Sequence, residues 1–140
     1  MIRVTKVYVV VPTYNETKNL SKLVTRVERT LHAVNFSLII VDDDSPDETA
    51  RVAEELDHVY RNIIVRCRKG ESGLGPAIVE GRRTALAMDD VERIVTLDAD
   101  LSHSPSDIPV LLHAGQRADL VQGSRYIRNG RVGCWSWSEG

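Results

Sequence analysis

The stretch VTLDADLSHSP, residues 95–105, joins an apolar segment directly to two carboxylates, Asp98 and Asp100. The segment is rich in β-branched residues, which is typical of a strand inside a sheet. Two carboxylates at the end of such a strand repel each other and lose hydration. A polar loop that happens to be acidic is the simplest interpretation. The alternative, which we favour, is a bound positive charge at this position.

Further apolar segments of the same kind recur along the chain, separated by helical patterns. The strand-like segments are residues 6–11, 37–41, 62–65, 93–97 and 119–123. Apolar residues at helical spacing predict a first helix through residues 20–31, and later helices are predicted at residues 48–56, 76–88 and 106–117. This alternation predicts an α/β fold with a mostly parallel sheet and helices on both of its faces.

Composition and charge limit the possible function classes. The 140 residues are 42% apolar and 27% charged, which predicts one globular domain over residues 1–140. A net charge of −2 gives no cationic footprint for nucleic acid. No apolar run could span a bilayer and no basic amphipathic helix is visible, so we expect no binding to vesicles. Cys67 and Cys134 lie far apart without metal-ligand spacing, which fits a reducing cytoplasm.

Two serine–proline pairs predict the starts of helices. Ser45 and Ser104 each precede a proline, and acidic residues follow. This pattern predicts both serines as N-caps, with the proline at the first helical position. Capping does not account for the acids that come before the serines. Those acids are Asp42, Asp43, Asp98 and Asp100.

The polar segments that follow the predicted strands should meet at one edge of the sheet, where ligands of parallel sheets bind. Three such segments are acidic or polar: residues 12–16, 42–48 and 98–100. Clustered carboxylates suit a hard divalent cation such as Mg²⁺, whose remaining ligands are substrate phosphates. Arg125 follows the last predicted strand and could grip a phosphate bidentately. The basic, glycine-rich residues 66–75 lead into a helix whose N-terminus could bind an anion.

Together and in this order, these segments resemble the family 2 glycosyltransferases, most closely their polyprenol-phosphate (dolichyl-phosphate) mannosyltransferase branch. The matching segments are VVVPTYNETKNL, IIVDDDSPDETA, GLGPA, TLDADLSHSPSDIP and LVQGSRY. The resemblance implies a Rossmann-like, nucleotide-sugar-binding GT-A fold, a three-layer α/β sandwich. It implies transfer of mannose from GDP-mannose to a polyprenyl phosphate lipid, with inversion and with Mg²⁺ or Mn²⁺.

The resemblance also assigns roles to individual residues. Residues implied to line the donor are Pro12, Tyr14, Glu16, Val41, Asp42, Asp43, Asp98, Ala99 and Arg125. Asp100 is implied as the principal metal ligand, Asp98 as a second, and Ser102 as a weak or water-mediated one. Asp100 and Arg125 are the implied catalytic residues, with Arg125 at the phosphates of donor or acceptor.

Two departures from the family pattern affect these expectations. Asp44 stands where the family has glycine or asparagine, so it either disturbs the ribose contact or occupies a turn. The chain stops at Gly140, whereas family members continue. We therefore expect a chain truncated at its C-terminus that holds the donor half of the site. A full-length form is expected to be cytoplasmic and peripheral at the cytoplasmic face of the membrane.

No catalytic base is required if the acceptor is a phosphate, since a phosphate monoester is mostly a dianion near neutral pH. His103 is accordingly interpreted as a packing or hydrogen-bonding residue. A signalling receiver domain is a rival from another class, but every lysine precedes residue 70, so the lysine such a domain needs is missing. A polyprenyl-phosphate glucosyltransferase, another family 2 transferase, or an inactive remnant that binds nucleotide sugar stay open as alternatives.

Overall fold

A computed structural model describes residues 4–70 and 72–122 of the chain. Within them the strands are β1 (Lys6–Thr13), β2 (Phe36–Asp42), β3 (Ile63–Cys67) and β4 (Val91–Thr96). The α-helices are α1 (Thr17–Thr30), α2 (Thr49–Tyr60), α3 (Leu74–Leu86) and α4 (Ile108–Ala114). Short 3₁₀ helices at Pro105–Asp107 and Gly115–Arg117 flank α4.

The sheet is parallel throughout the described residues, in the order β3-β2-β1-β4. Strands β2 and β3 are added in order on one side of β1, and β4 then pairs with the other side of β1. The strand order therefore switches direction between β1 and β4. A crevice opens at the carboxyl edge at this switch point, where ligands of open α/β sheets bind.

Helices cover both faces of the sheet and give three layers. On one face, α1, α2 and the start of α4 pack against Val9, Val11 and Leu38. On the other face, α3 packs against Val10 and Ile39. Because β1 and β2 are covered on both faces, their sequences are continuous apolar runs rather than alternating ones. The predicted α/β fold with a parallel sheet between helices is confirmed.

The amino edge of the sheet is closed by polar contacts. Tyr8 Oη donates to Asp90 Oδ1 at 2.6 Å, and Lys6 Nζ lies 3.8 Å from Asp90 Oδ2. Burial, together with the bond to Asp90 and its charge, raises the pKa of Tyr8 to about 12. The Tyr8 phenol is therefore a fixed donor at neutral pH, and this edge serves to hold β1 against the segment that precedes β4.

Three predicted elements differ in the structure. Residues 93–97 were predicted as a buried strand, but β4 is an edge strand of the described sheet, and Glu92 and Arg93 are exposed. Residues 119–122 of the predicted last strand form no strand, and Leu120 there is 84% exposed. The predicted helix at residues 106–117 is shorter and is flanked by 3₁₀ turns, since Pro105 and Gly115 lie at its ends.

Helix α1 carries a basic face that the sequence analysis did not find. Its apolar side chains lie in the core, and the opposite side carries exposed cations spaced at three or four residues: Lys18, Lys22, Arg26 and Arg29. Residues at that spacing share one face of a helix. The cations are separated by apolar and polar residues in the sequence and align only when the chain is helical. The apolar face is already packed, so α1 is not a helix that could insert into a bilayer.

Within residues 4–70 and 72–122, no helix has both the length and the apolar character required to cross a membrane.

Gly81 sets the distance between α3 and the sheet. A Cβ at this position would overlap Val10 Cγ1 and lie 3.1 Å from Val41 Cγ2. Both valines are fully buried in the interior strands and cannot move aside. The glycine is therefore required by close packing of helix on sheet, although its backbone is ordinary helix.

We expect Gly81→Ala to destabilise the fold by about 1–3 kcal/mol, as overpacked cores do. Gly75→Ala, in the same helix, is the matched control, because a Cβ at Gly75 would meet no other atom within 4 Å. That variant should keep or slightly raise the stability, by up to about 1 kcal/mol. Urea unfolding of the two variants measures the difference, and equal midpoints would contradict the packing argument.

Candidate active site

A cleft of about 490 Å³ lies at the carboxyl edge of the sheet. Its walls come from the loops after β1, β2 and β4 and from the segment that begins α3. The lining residues are Pro12, Thr13, Tyr14, Glu16, Asp43, Ser72, Gly73, Leu74, Ala77, Asp98, Ala99 and Asp100. The switch in strand order between β1 and β4 creates this crevice, as expected for such sheets.

The structure brings together most of the sequence-predicted donor residues. Cleft-lining residues among them are Pro12, Tyr14, Glu16, Asp43, Asp98, Ala99 and Asp100. The cleft also contains residues that were not predicted individually. Those are Thr13, Ser72, Gly73, Leu74 and Ala77. Thr13 lies within the predicted polar segment 12–16. The signal for the others was the glycine-rich segment before α3, which was identified as an anion-binding loop without single residues being chosen.

Val41 and Asp42 do not line the cleft. The Val41 side chain is fully buried in the core under α3. The carboxylate of Asp42 is only 1% exposed. Thr13 Oγ1 and Ser45 Oγ donate to its Oδ1 at 2.8 and 2.6 Å, and the Ser45 N–H donates to its Oδ2 at 2.9 Å. Asp42 is thus a brace that joins the ends of β1 and β2, with its oxygens directed at protein donors.

Ser45 is not the helix cap that the sequence predicted. Its hydroxyl instead joins Asp42 to the loop after β1, because it also accepts the N–H of Asn15 at 2.9 Å. The helix that follows begins four residues later, at Thr49. Ser104 does occupy the N-cap position of the 3₁₀ turn, but the cap is a backbone bond from the Asp107 N–H to the Ser104 carbonyl at 3.0 Å.

Asp47 performs the capping of two helices. Its Oδ2 accepts the N–H of Thr17 at the start of α1, and its Oδ1 accepts the N–H and hydroxyl of Thr49 at the start of α2. Burial alone would raise the pKa of Asp47, but these hydrogen bonds outweigh burial and lower it. One carboxylate therefore ties the first turns of both helices together at the rim of the cleft.

Asp44, the third acid of the run, is exposed and lies outside the cleft lining. Its φ of 53° is in the left-handed region. Glycine and asparagine adopt this conformation at the lowest energy, and aspartate tolerates it. The left-handed backbone favours the interpretation of Asp44 as a turn residue, and its effect on a ribose contact stays a prediction.

Asp43 lines the cleft and is held by a buried ion pair. Arg68 Nη1 lies 2.9 Å from Asp43 Oδ1, and the two side chains are 11% and 7% exposed. The N–H of Gly73 donates to Asp43 Oδ2 at 2.9 Å. Gly73 is the N-cap residue of α3. The Asp43 carboxylate thereby joins the end of β2 to the loop that begins α3.

Removing the Arg68 charge should destabilise the protein strongly, because Asp43 would stay buried without its cationic partner. We expect Arg68→Met to lower the free energy of unfolding by about 3–5 kcal/mol, as when one partner of a buried pair is removed. The control is Arg51→Met, whose pairs with Glu48 and Glu55 are exposed, so its loss should be below about 1 kcal/mol. Chemical denaturation of both variants tests this, and comparable losses would be inconsistent with a buried pair.

The acidic pair after β4 points outward from the sheet, and Ala99 points inward. All three residues line the cleft, but Ala99 is 3% exposed and packs in the core, whereas the side chains of Asp98 and Asp100 are more exposed. The Ser102 N–H donates to Asp100 Oδ1 at 2.9 Å. Asp98 contacts His103, with Oδ2 at 3.6 Å from Nε2 and the backbone N–H at 3.4 Å from Nδ1.

The donor set of this loop suits a hard divalent cation in part. Asp98 and Asp100 offer carboxylate oxygens to the cleft, and Asp100 Oδ2 accepts no hydrogen bond within the described residues. No group of three or more acids, histidines or cysteines within residues 4–70 and 72–122 is arranged to hold a metal ion. Two carboxylates without a third fit Mg²⁺ or Mn²⁺ only if phosphate oxygens complete the shell. The Ser102 hydroxyl is buried, without a described partner, and does not line the cleft.

Glu16 shares the negative potential of this cleft. Burial raises its pKa, the amide of Asn19 opposes the rise, and the charges of Asp100, Asp47 and Asp98 add to it. An ionised Glu16 is therefore unfavourable in the folded protein without a ligand. A cation or a hydrogen-bond donor in the cleft would relieve this repulsion.

The raised pKa of Glu16 predicts a pH-dependent effect on stability. Above the folded-state pKa the ionised carboxylate destabilises the fold, and this penalty disappears as the pH falls below the ordinary value of 4.5. Glu16→Gln should therefore raise the melting temperature at pH 7 and have no effect at pH 4.

Asp47→Asn is the control of opposite sign. Its lowered pKa means that the ionised form stabilises the fold above the ordinary value of 3.8. We expect Asp47→Asn to lower the melting temperature at pH 7, with the loss fading as the pH falls through the lowered pKa. Thermal melts between pH 3 and pH 8 test both variants, and a destabilised Glu16→Gln at pH 7 would contradict the electrostatic argument.

Arg125, the predicted phosphate ligand and catalytic residue, lies outside the described residues, so its role stays a prediction.

The sequence matches the profile described as Glycosyl transferase family 2 over residues 8–140. The chain belongs to this family. The receiver-domain alternative is thereby excluded, and the parallel α/β sandwich is the GT-A fold that the resemblance implied.

Two curated relatives of this family 2 chain are similar over most of its length. A dolichol-phosphate mannosyltransferase of Pyrococcus furiosus is 42% identical over 131 residues, which cover 93% of this chain and 36% of the relative. A polyprenol monophosphomannose synthase of Mycolicibacterium smegmatis is 39% identical over 135 residues, which cover 92% and 48%. The chain thus spans between about a third and a half of these relatives.

Among solved structures, S. aureus TarS residues 1–349 in complex with UDP-GlcNAc is similar at a TM-score of 0.49 and 26% identity. The similarity covers 69% of this chain and 27% of that chain.

Proposed function

We propose that this chain binds GDP-mannose in the cleft and transfers mannose, with inversion, to the phosphate of a polyprenyl lipid. The observation that carries the proposal is the convergence of the loops after β1, β2 and β4 on one cleft. That convergence puts Glu16, Asp43, Asp98 and Asp100 around a single cavity. Family membership supports sugar transfer, and the names of the two curated relatives support mannose and a polyprenyl phosphate.

The nucleotide is proposed to lie over the ends of β1 and β2. Tyr14 is 57% exposed at the cleft, so its ring is available to stack on a base or ribose. Asp43 is held in place by Arg68 and Gly73, yet a carboxylate has more lone pairs than these two bonds use. Asp43 can therefore accept a further hydrogen bond from the base or ribose without moving.

The donor diphosphate is proposed to face the acidic pair after β4. Asp100, with Asp98 in support, would hold Mg²⁺ or Mn²⁺ against the diphosphate oxygens. The bound metal would act as a Lewis acid that stabilises the charge of the leaving phosphate. The Ser102 N–H holds Asp100 Oδ1, so Oδ2 remains available to a metal.

The acceptor phosphate is proposed to attack the sugar carbon from the face opposite the leaving diphosphate, which inverts the configuration. A phosphate dianion is already nucleophilic near neutral pH, so none of the acids around the cleft has to act as a base. Arg125 is proposed to bind phosphates of donor or acceptor. The lipid acceptor would bring the protein to the cytoplasmic face of a membrane as a peripheral protein.

Metal and nucleotide should bind cooperatively if Asp98 and Asp100 supply only part of the metal shell. We expect Mn²⁺ to raise the affinity for GDP by about tenfold or more, and GDP to raise the affinity for Mn²⁺ by the same factor, since coupling is reciprocal. Isothermal titration of GDP with and without Mn²⁺ measures this coupling. UDP and ADP, titrated in parallel, test the preference for guanine.

Asp100→Asn should abolish the effect of Mn²⁺ on GDP binding. Asp107→Asn is the matched control, because Asp107 is exposed, follows the same loop and does not line the cleft. Coupling that survives in Asp100→Asn, or GDP binding that ignores Mn²⁺ in the unmodified chain, would refute the metal site. Transfer assays with GDP-mannose and UDP-glucose on a polyprenyl phosphate then distinguish mannose transfer, glucose transfer and binding without turnover.

A further inference from the structure

A second cavity lies away from the cleft, between α1 and the turn that follows the Asp98–Asp100 loop. It has a volume of about 250 Å³. Its lining residues are Arg26, Arg29 and Thr30 of α1 and Ser104, Pro105 and Ser106 of the turn. None of these residues lines the donor cleft. The groove is therefore a separate feature of the same family 2 domain.

The α1 side of the groove is cationic and is not neutralised by the described part of the chain. Arg26 and Arg29 are both exposed, and neither guanidinium forms an ion pair or hydrogen bond within residues 4–70 and 72–122. Glu28 lies between them in sequence but does not line the groove, and burial raises its pKa while the neighbouring Asn62 opposes this. Asp107 is the acid nearest in sequence to the serines, and it does not line the groove.

The other side of the groove offers hydroxyls on a fixed turn. Ser104 Oγ and Ser106 Oγ lie 2.6 Å apart and share one hydrogen bond. Each hydroxyl has further capacity, because a serine oxygen both donates and accepts. Pro105 between them is buried against α1, so the two hydroxyls are held at the surface by a packed residue.

We propose that Arg26 and Arg29, with the hydroxyls of Ser104 and Ser106, form a binding site for a phosphate group. Guanidinium groups match the oxygens of a phosphate bidentately, and hydroxyls donate to the oxygens that remain. Lys18 and Lys22 extend the same face of α1 and would attract an anion along it. The phosphate belongs either to a free small molecule or to a lipid headgroup, because both present the same oxygens.

The distribution of charge favours anion binding at this face of α1 over binding in the cleft. The protein carries a net charge of −2, and the donor cleft collects acids, whereas α1 collects cations. A phosphate would therefore be repelled from the cleft acids in the absence of a metal and attracted to α1. The proposal concerns a second site and stands whether or not the cleft binds GDP-mannose.

Nuclear magnetic resonance of the ¹⁵N-labelled 140-residue chain, titrated with inorganic phosphate without metal, tests the site. We expect saturable shifts of the Ser104, Ser106 and Arg29 amides, with Gly73 and Asp100 in the cleft unchanged. The Arg26→Gln/Arg29→Gln double variant should weaken phosphate binding by about tenfold or more, since charge-assisted hydrogen bonds are lost. The Arg51→Gln variant on α2, also an exposed arginine, should bind phosphate like the unmodified chain.

The proposal would be overturned if phosphate shifted only the amides at the cleft. It would also be overturned if phosphate shifted the groove amides of the double variant as much as those of the unmodified chain. The absence of saturable shifts in the unmodified chain would also overturn the proposal. This measurement does not depend on whether any variant folds. GDP titrations of the double variant with Mn²⁺ should match those of the unmodified chain. This comparison separates the groove from the cleft, because a failure of the proposed donor site would abolish GDP binding in both.

Vesicles identify the source of the phosphate. The fraction of the protein that sediments with phosphatidylcholine vesicles is compared with the fraction that sediments with vesicles that also contain phosphatidylglycerol. Binding to the anionic vesicles that the double variant loses would assign the groove to a lipid headgroup. Phosphate binding without vesicle binding would assign it to a free phosphate compound. Vesicle binding that the double variant retains, without phosphate shifts at the groove, would overturn the site.

Discussion

The confinement of β1 is the constraint on which the rest of the structure depends. This strand pairs with β2 and β4 at its two sides and is covered by helices on both faces. Its residues Val9, Val10 and Val11 are fully buried, so none of them can meet a ligand. Only the two ends of the strand remain available, and the amino end is closed by the contacts of Tyr8 with Asp90. Ligands can therefore be bound only at the carboxyl end of this strand.

At that end, the neighbouring residues Asp42 and Asp43 have different structural roles. Asp42 points to Thr13 and Ser45 and fixes the ends of two strands, whereas Asp43 points to Arg68 and Gly73 beside the cleft. A strand alternates its side chains between faces, so adjacent acids cannot do the same work. The same alternation after β4 buries Ala99 and turns Asp98 and Asp100 outward. In both loops, the alternation of side chains therefore separates the residue that supports the structure from the residues that face the cleft.

The sequence predicted the fold class because its signal is local. Continuous apolar runs and helical spacing identified β1, β2, α1 and α3, and the segments after the strands identified the cleft. What it could not predict depends on contacts between distant residues. Ser45 resembles a helix cap in sequence and braces two strands in the structure, and Arg68 is one of several basic residues before it is seen to pair with Asp43. The edge position of β4 in the described part of the sheet likewise follows from pairing order, which periodicity does not encode.

The formal net charge conceals how charge is arranged in this domain. Acids lie where three loops meet. Burial raises the pKa of Glu16, and the charges of the neighbouring acids raise it further. Cations gather along α1, which begins at the rim of the same cleft and runs away from it. Within residues 4–70 and 72–122, Arg68 pairs with Asp43, but Glu16 and Asp100 of the cleft and Arg26 and Arg29 of α1 form no ion pair. These acids and these arginines therefore retain attraction for a ligand of opposite charge. The acids are suited to a cation that arrives with a diphosphate, and the arginines of α1 to a phosphate without one. The two groups lie at separate places on the domain, because the groove beside α1 and the cleft share no lining residue.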